Sequence, residues 1–319
     1  MANEEQLQQA QDTGFELARQ AVANRNEALG RRARALAGSS GTLESPGSLS
    51  TGPTRSATLE GPASGSRGVL VAEGDSWFDF PFNDVLNSLE DDHGYDVESV
   101  ANGGDTVESM AYSGGQLEDF LRCLERAQRR GIPPKAVLLS AGGNDVAGDE
   151  FALLLNHARS PNPGLNDTII EGVIRERLVA AYVTILTAVT AASETYLGRA
   201  LPILIHGYAR PVPDGRGVFG IPFLPGPWLQ PGFHSKGFGD LAENARMVGE
   251  LIDRFNDTLR EISERAEFPH VHYVDLRSVL SNELEGKAYR EDWSDELHPT
   301  RSGFDRVANA FAEALERLQ

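Results

Sequence analysis

Short apolar runs alternate with longer amphipathic segments over residues 68–319. This alternation predicts an α/β fold with a parallel sheet, because strands that helices cover on both faces carry uninterrupted apolar residues. The predicted strands are Val69–Ala72, Asp96–Val100, Ala136–Ser140, Ile203–His206 and Val271–Asp275. The predicted helices are Asn83–Asp91, Gln116–Arg130, Thr168–Leu197, Leu241–Ala266 and Ser302–Leu318. We therefore expect a three-layer α/β/α sandwich with a five-stranded parallel sheet.

The first 67 residues have a different composition. Residues 3–37 are rich in Ala, Gln, Glu, Leu and Arg, which predicts an N-terminal helical arm over residues 1–37. Residues 38–67 are rich in Ser, Gly, Pro and Thr and bury too little apolar surface to order themselves, which predicts a flexible linker. The arm is either a docking or oligomerising element or a marginal helix of no fixed position, and both interpretations stay open.

Residues 148–167 and 207–240 interrupt the alternation. The second stretch is rich in Pro and Gly, a composition that argues against a regular helix or a central strand. Because it leaves the carboxyl end of the fourth predicted strand, we expect it at the edge where open α/β sheets place their sites, as a lid or binding wall. The alternative is an aromatic cluster that only holds the loop together. Its aromatic residues are Tyr208, Phe219, Phe223, Trp228, Phe233 and Phe238.

Charge and composition exclude some functions. A formal net charge of -18 argues against binding nucleic acid or an anionic membrane by bulk electrostatics. Residues 1–30 contain no apolar signal segment and we expect no membrane-spanning run, so a cytoplasmic location is the default, with leaderless export left open. The single cysteine, Cys123, excludes an intrachain disulfide, and its amphipathic helix makes it a predicted packing residue.

Four polar motifs carry the candidate chemistry. They are Gly74-Asp75-Ser76, Asn102-Gly103-Gly104-Asp105-Thr106, Gly142-Gly143-Asn144-Asp145 and Asp295-Glu296-Leu297-His298-Pro299. Ser76 follows a predicted strand, where its hydroxyl is a candidate nucleophile, although a helix N-cap is the simpler role for a serine there. The spacing of Asp295 and His298 lets the carboxylate hold Nδ1 and leaves Nε2 free to face a serine. We expect Asp75 to hydrogen-bond local backbone and His206 to lie in the rim or core.

These motifs, in this order, resemble the GDSL or SGNH hydrolase family from about Gly68 to the C-terminus. The resemblance implies a flavodoxin-like fold and a serine ester hydrolase with nucleophile Ser76, base His298 and orienting Asp295. It implies an oxyanion hole formed by Ser76, Gly104 and Asn144, with Gly104 favoured over Gly103 by its Gly-Asp-Thr context. It requires no metal or cofactor, and it leaves open esterase, lipase, thioesterase and carbohydrate deacetylase activity.

The sequence says less about which residues bind the substrate. Trp77 replaces the leucine of many family members, and it joins the predicted substrate-binding residues Tyr208, Phe223 and Trp228. The expected partner is a small-molecule, lipid or carbohydrate ester, and residues 3–37 are a candidate contact for a second copy or another protein. Two alternatives stay open: a metal-dependent phosphoesterase, and a binding or assembly module that is recruited through the arm.

Overall fold

The computed structural model describes residues 2–39, 65–113, 115–218 and 225–318. Its sheet has five strands, β1 (Val69–Gly74), β2 (Asp96–Ser99), β3 (Ala136–Ser140), β4 (Ile203–His206) and β5 (Val271–Val274). All strand pairs are parallel, in the order β2-β1-β3-β4-β5. This is the flavodoxin-like order, so the predicted α/β fold is confirmed.

Eight helices of the described residues surround the sheet. They are α1 (Glu4–Ser39), α2 (Val85–Asp91), α3 (Val107–Tyr112), α4 (Gln116–Arg129), α5 (Asp167–Leu197), α6 (Gln230–Ser235), α7 (Leu241–Ser263) and α8 (Arg301–Arg317). Helices α2 and α8 pack together, whereas α5 packs against both α4 and α7. The strand order reverses at β1, so the carboxyl ends of β1 and β3 border the crevice in which such sheets place their sites.

The segment over residues 207–240 corrects one expectation. Its composition argued against a regular helix, yet it contains α6, so that prediction was wrong for Gln230–Ser235. Pro231 lies in the first turn, where a missing backbone N–H costs nothing. The N–H groups of Leu229 and Gln230 donate to the carboxylate of Glu296, from a distant part of the chain. The other interrupting stretch contains a 3₁₀ helix over Gly148–Leu154 and a short antiparallel ribbon.

The N-terminal helix is docked on the α/β domain. Helix α1 packs along α5 and also touches α4. The Thr184 hydroxyl donates to the carbonyl oxygen of Ala10 at 3.2 Å, and Arg25 Nε lies 3.1 Å from an oxygen of the buried Glu125. Of the two interpretations of the arm, these contacts favour a docking element. Most of the predicted linker, residues 40–64, lies outside the described residues.

Helix α5 is the central helix of the domain and the most apolar. By length and composition alone it could cross a membrane, but 72% of its most apolar window is buried inside the protein. That burial accounts for its apolar character, because a helix covered on most sides has no polar face. The expected absence of a membrane-spanning segment stays a prediction.

Candidate active site

Ser76 lies in a tight turn directly after β1. The Asp75 N–H donates to the Ser140 carbonyl oxygen at 3.0 Å, which continues the pairing of β1 with β3 by one residue. Asp75 then accepts the Trp77 N–H at its own side chain, at 3.0 Å, and the Phe78 N–H at its carbonyl oxygen. An Asp side chain that accepts a hydrogen bond from the backbone N–H two residues later forms an Asx-turn, which mimics a backbone turn. The turn leaves the Ser76 side chain partly exposed at the carboxyl edge of the sheet.

The motif near the C-terminus brings an acid and a base to this serine. His298 Nε2 lies 2.9 Å from Ser76 Oγ, and His298 Nδ1 lies 3.0 and 3.1 Å from the two carboxylate oxygens of Asp295. Asp295 Oδ1 also accepts the N–H groups of Leu297 and His298, both at 2.8 Å, which fixes the shape of the turn. Asp295 and His298 are buried. The structure therefore joins Asp295, His298 and Ser76 in one hydrogen-bonded chain.

The glycine loop after β2 lies beside the serine. The Gly103 N–H donates to Asp79 Oδ2 at 3.0 Å, so Asp79 already occupies that donor. The Gly104 N–H has no hydrogen-bond partner among the described residues. Gly104 has a φ of 95°, a left-handed conformation that favours glycine, and a Cβ added there would meet open space. Gly104 is therefore the better placed of the two to donate to a ligand.

Asn144 connects the end of β3 to the same loop. Its Nδ2 donates one hydrogen to the carbonyl oxygen of Asp105 at 2.9 Å. A side-chain amide nitrogen carries two hydrogens, so the group can be held by Asp105 and still donate to a second acceptor. Asn144 and Ser76 also line one cavity.

Two other titratable residues at this edge are sequestered. Asp75 is buried and accepts hydrogen bonds from the Ser140 hydroxyl at 2.9 Å and from the Tyr208 hydroxyl. Burial raises the pKa of the Asp75 carboxyl, but its contacts hold it beneath the turn. His206 is fully buried, and burial lowers its pKa to about 4, so it is neutral near pH 7. The expectations of a structural Asp75 and a core or rim His206 agree with these positions.

The predicted substrate-binding residues have different surroundings. Trp77 is buried, donates its Nε1–H to the Leu297 carbonyl oxygen at 3.0 Å, and lines the cavity beside Ser76. Tyr208 lines the same cavity with its ring, while its hydroxyl is engaged by Asp75. The Trp228 ring meets the His298 ring edge-on, with 5.2 Å between centroids. Phe223 and Phe219 lie outside the described residues.

Two contacts of the turn that holds Asp295 and His298 were not foreseen from the sequence. The Phe80 ring stacks on the imidazole of His298, with 4.2 Å between centroids and 18° between planes. Glu296 is fully buried, and its carboxylate accepts backbone N–H groups from Gly215 at 2.9 Å and Trp228 at 2.7 Å. With the two donors at the start of α6, Glu296 accepts four backbone hydrogen bonds from the 207–240 segment. This carboxylate ties the segment to the turn that holds His298.

A match to a family model was found over residues 66–306, which is more than half of the chain, and the family is the GDSL-like Lipase/Acylhydrolase family. No curated protein sequence matches the chain. A protein of Parabacteroides merdae assigned as a GDSL-like lipase is 15% identical, with 80% of this chain and 97% of that chain covered and a TM-score of 0.45. An acetylxylan esterase from Geobacillus stearothermophilus is 16% identical, with 79% and 95% covered and a TM-score of 0.42. The sequence match, rather than these distant likenesses, shows that this chain belongs to the GDSL-like lipase/acylhydrolase family, a family of hydrolases that act on esters.

Proposed function

We propose that the protein is a serine hydrolase that cleaves carboxylic esters through an acyl-enzyme intermediate. The observation that carries this proposal is the hydrogen-bonded chain from Asp295 through His298 to Ser76 Oγ. A serine hydroxyl is a weak nucleophile until an adjacent base takes its proton. His298 Nε2 is within hydrogen-bond distance of that proton, and Asp295 holds Nδ1 as the donor side of the ring.

In the acylation step, Ser76 Oγ attacks the ester carbonyl carbon while its proton moves to His298 Nε2. The carbonyl oxygen becomes an oxyanion, and the N–H groups of Ser76 and Gly104 and the Asn144 amide stabilise it. The tetrahedral intermediate then collapses and His298 gives the proton to the leaving alcohol. In deacylation, His298 takes a proton from a water molecule as that water attacks the acyl carbonyl carbon. The bond between the acyl group and Ser76 Oγ then breaks, His298 returns the proton to Ser76 Oγ, and the carboxylic acid leaves.

The buried carboxylate of Asp295 supports both steps electrostatically. The imidazolium that forms on His298 is buried, with Phe80 stacked on its face and the Trp228 ring in edge-on contact. In such surroundings a nearby carboxylate stabilises the transient positive charge more than it would in water.

Covalent labelling tests the proposal. A fluorophosphonate probe reacts with activated serines, so intact-mass analysis of the incubated protein should show one adduct, and peptide mapping should place it on Ser76. Ser76→Ala should abolish the adduct and reduce the hydrolysis of p-nitrophenyl acetate by roughly three orders of magnitude or more, with unchanged thermal unfolding. A folded Ser76→Ala protein with undiminished turnover would disprove the serine mechanism.

The metal-dependent alternative requires a different kind of site. A two-metal phosphoesterase needs several Asp, His and Asn ligands around its ions. Among the described residues, no group of three or more His, Cys, Asp or Glu side chains is placed to hold a metal ion. Retention of activity after incubation with a chelator would remove this alternative.

A further inference from the structure

A small cavity opens beside the proposed nucleophile. Its polar lining residues include Asp75, Ser76 and Asn144. Apolar side chains from α7, from the 207–240 segment and from the turn that holds His298 complete the lining. The side chains that matter for the argument are Ala209, Leu229, Val248, Leu251, Ile252 and Leu297.

The size of the cavity limits what it can hold. Its volume is about 40 Å³. A cavity of roughly 150 Å³ in a protein core binds a molecule as large as benzene, so this smaller cavity has room for only a few carbon atoms. An acyl chain of acetyl to butyryl length is of that size.

The walls also limit the chemistry of the occupant. Leu251 and Val248 are buried apolar side chains of α7, and Ala209 contributes a methyl group. The two polar groups under the serine are already paired, because the Tyr208 hydroxyl donates to the Asp75 carboxylate. A hydroxyl or carboxylate on the acyl chain would therefore lose its hydrogen bonds to water without gaining a hydrogen-bond partner in these apolar walls.

The walls are fixed rather than free to part. The Leu229 N–H donates to Glu296 at 2.7 Å, and Leu297 is held in the Asp295 turn by its own N–H at 2.8 Å. Leu251 and Val248 belong to a helix of 23 residues that packs against β4 and β5. A longer chain would have to displace packed side chains, and overpacking of this kind is unfavourable.

From the cavity we infer that the protein selects short, unsubstituted aliphatic acyl groups, and that Leu251 and Ala209 set the length limit. This inference rests on the proposed function, because it takes Ser76 as the atom that receives the acyl group. Of the residues that the sequence predicted to bind substrate, Trp77 and Tyr208 line this cavity and Trp228 does not. The acyl chain enters toward α7, on the side of Asn144 and Tyr208.

The test is a chain-length profile. The ratio of kcat/KM between p-nitrophenyl esters is measured from acetate through butyrate and hexanoate to octanoate. Ratios within one variant do not depend on the fraction of active protein. For the wild type we expect kcat/KM to fall by about tenfold or more from butyrate to octanoate. Hydroxybutyrate esters should be poorer than butyrate by a similar factor.

Two substitutions should shift the profile in opposite directions. Leu251→Ala enlarges the cavity and should raise the octanoate-to-butyrate ratio by about tenfold, whereas Ala209→Val fills it and should lower the butyrate-to-acetate ratio. The control is Leu259→Ala, the same substitution on α7 at a fully buried leucine that does not line the cavity. It should lower the melting temperature and leave the ratios unchanged.

The outcomes separate this inference from the proposed function. If fluorophosphonate labels Ser76 and the wild type prefers octanoate, the short-chain inference is wrong and the serine mechanism stands. Unchanged ratios in both Leu251→Ala and Ala209→Val would likewise overturn the assignment of these two residues. If Ser76 is neither labelled nor required for turnover, both the mechanism and the inference fail.

Discussion

Glu73 carries a carboxyl group within a central strand of the sheet. It is buried, and its Oε1 accepts the Gly74 N–H at 2.9 Å and a hydrogen from Gln116 Nε2 at 3.1 Å. Its Oε2 has no hydrogen-bond partner among the described residues. Burial raises the pKa of Glu73 to about 8, so the group is largely protonated near pH 7. Gln116 also donates to Asp105, so it links this carboxyl to the loop that contains Gly104.

A raised pKa in the folded state makes stability depend on pH. Below the ordinary pKa of about 4.5, the folded and unfolded chains both hold the proton and no penalty applies. Between that value and about 8 the folded chain binds more protons, so the free energy of unfolding falls with rising pH, by at most about 1.4 kcal/mol per pH unit. Glu73→Gln should remove this slope and make the variant more stable than the wild type above pH 8. Urea unfolding at several pH values would measure it, and parallel slopes for the two proteins would contradict it.

Asn144 is the side-chain donor of the proposed oxyanion hole. Its amide should act mainly on charge that appears in the transition state, so Asn144→Ala should lower kcat by roughly a hundredfold with a smaller change in KM. Asn102→Ala is the matched control, because Asn102 also donates to Asp105, at 3.1 Å to the carboxylate, without facing the cavity. An equal loss of kcat in the two variants would show that Asn144 acts by holding the loop. A rise in KM with constant kcat would make it a binding residue.

The residues around the serine differ in how far sequence could predict them. Ser76, His298 and Asp295 stand in short motifs that resemble those of a known family, so their meeting could be predicted from that resemblance although Ser76 and His298 are far apart in the chain. The stacking of Phe80 on His298 joins residues far apart in the chain, and no periodicity or spacing signals it. Tyr208 was predicted as a binding residue from its aromatic character, but the sequence could not show that Asp75 occupies its hydroxyl.

At the scale of elements, Glu296 organises the 207–240 segment. One oxygen accepts the N–H groups of Trp228 and Leu229, and the other accepts those of Gly215 and Gln230. Burial raises the pKa of this carboxyl, while the four backbone donors oppose that shift. A glutamine side chain offers only one oxygen to the same donors. Its amide NH2 would face at least one backbone N–H group, which leaves that donor without an acceptor.

Glu296→Gln should therefore loosen the segment. We expect the free energy of unfolding to fall by about 1–3 kcal/mol, because buried backbone donors lose their acceptor. We also expect kcat for p-nitrophenyl acetate to fall, since Trp228 packs on His298 and moves with the segment. Thermal unfolding and steady-state kinetics measure the two effects. Glu283→Gln, at an exposed position, is the control and should change neither. A Glu296→Gln protein with wild-type stability and kcat would show that the segment needs no such anchor.

Strands β1, β3 and β4 were predicted because buried parallel strands leave continuous apolar runs, a signal that β2 lacks. The missed helices lack comparable signals. Helix α3 has only six residues, and its capping box pairs Thr106 with Ser109 instead of the usual Glu or Gln. Helix α6 contains both Pro231 and Gly232, and the group that satisfies its first N–H donors, Glu296, lies in the catalytic turn. Elements stabilised by distant side chains are not visible in a local pattern.

At the scale of the whole molecule, α1 adds a further helix outside the three-layer sandwich. The sequence left open whether this arm docks, because nothing in the pattern of α1 identifies α5 as its neighbour. Its close approach to α5 depends on Gly14, where an added Cβ would lie 2.6 Å from the Thr184 carbonyl oxygen and 2.8 Å from Thr187 Cβ. A glycine within a helical pattern weakens the prediction of a helix. The reason for Gly14 is visible only from the α5 residues that it contacts.

Two glycines of α1 give a matched test of this docking. Replacing a glycine inside a helix with alanine usually stabilises the protein by about 0.5–1 kcal/mol. At Gly30 an added Cβ meets nothing within 4 Å, so Gly30→Ala should show that gain. At Gly14 the same methyl group collides with backbone and side-chain atoms of α5, and overpacking of this kind costs about 1–3 kcal/mol. Gly14→Ala should therefore lower the melting temperature of the full chain while Gly30→Ala raises it. Equal stabilisation by both substitutions would mean that α1 does not pack on α5 in solution.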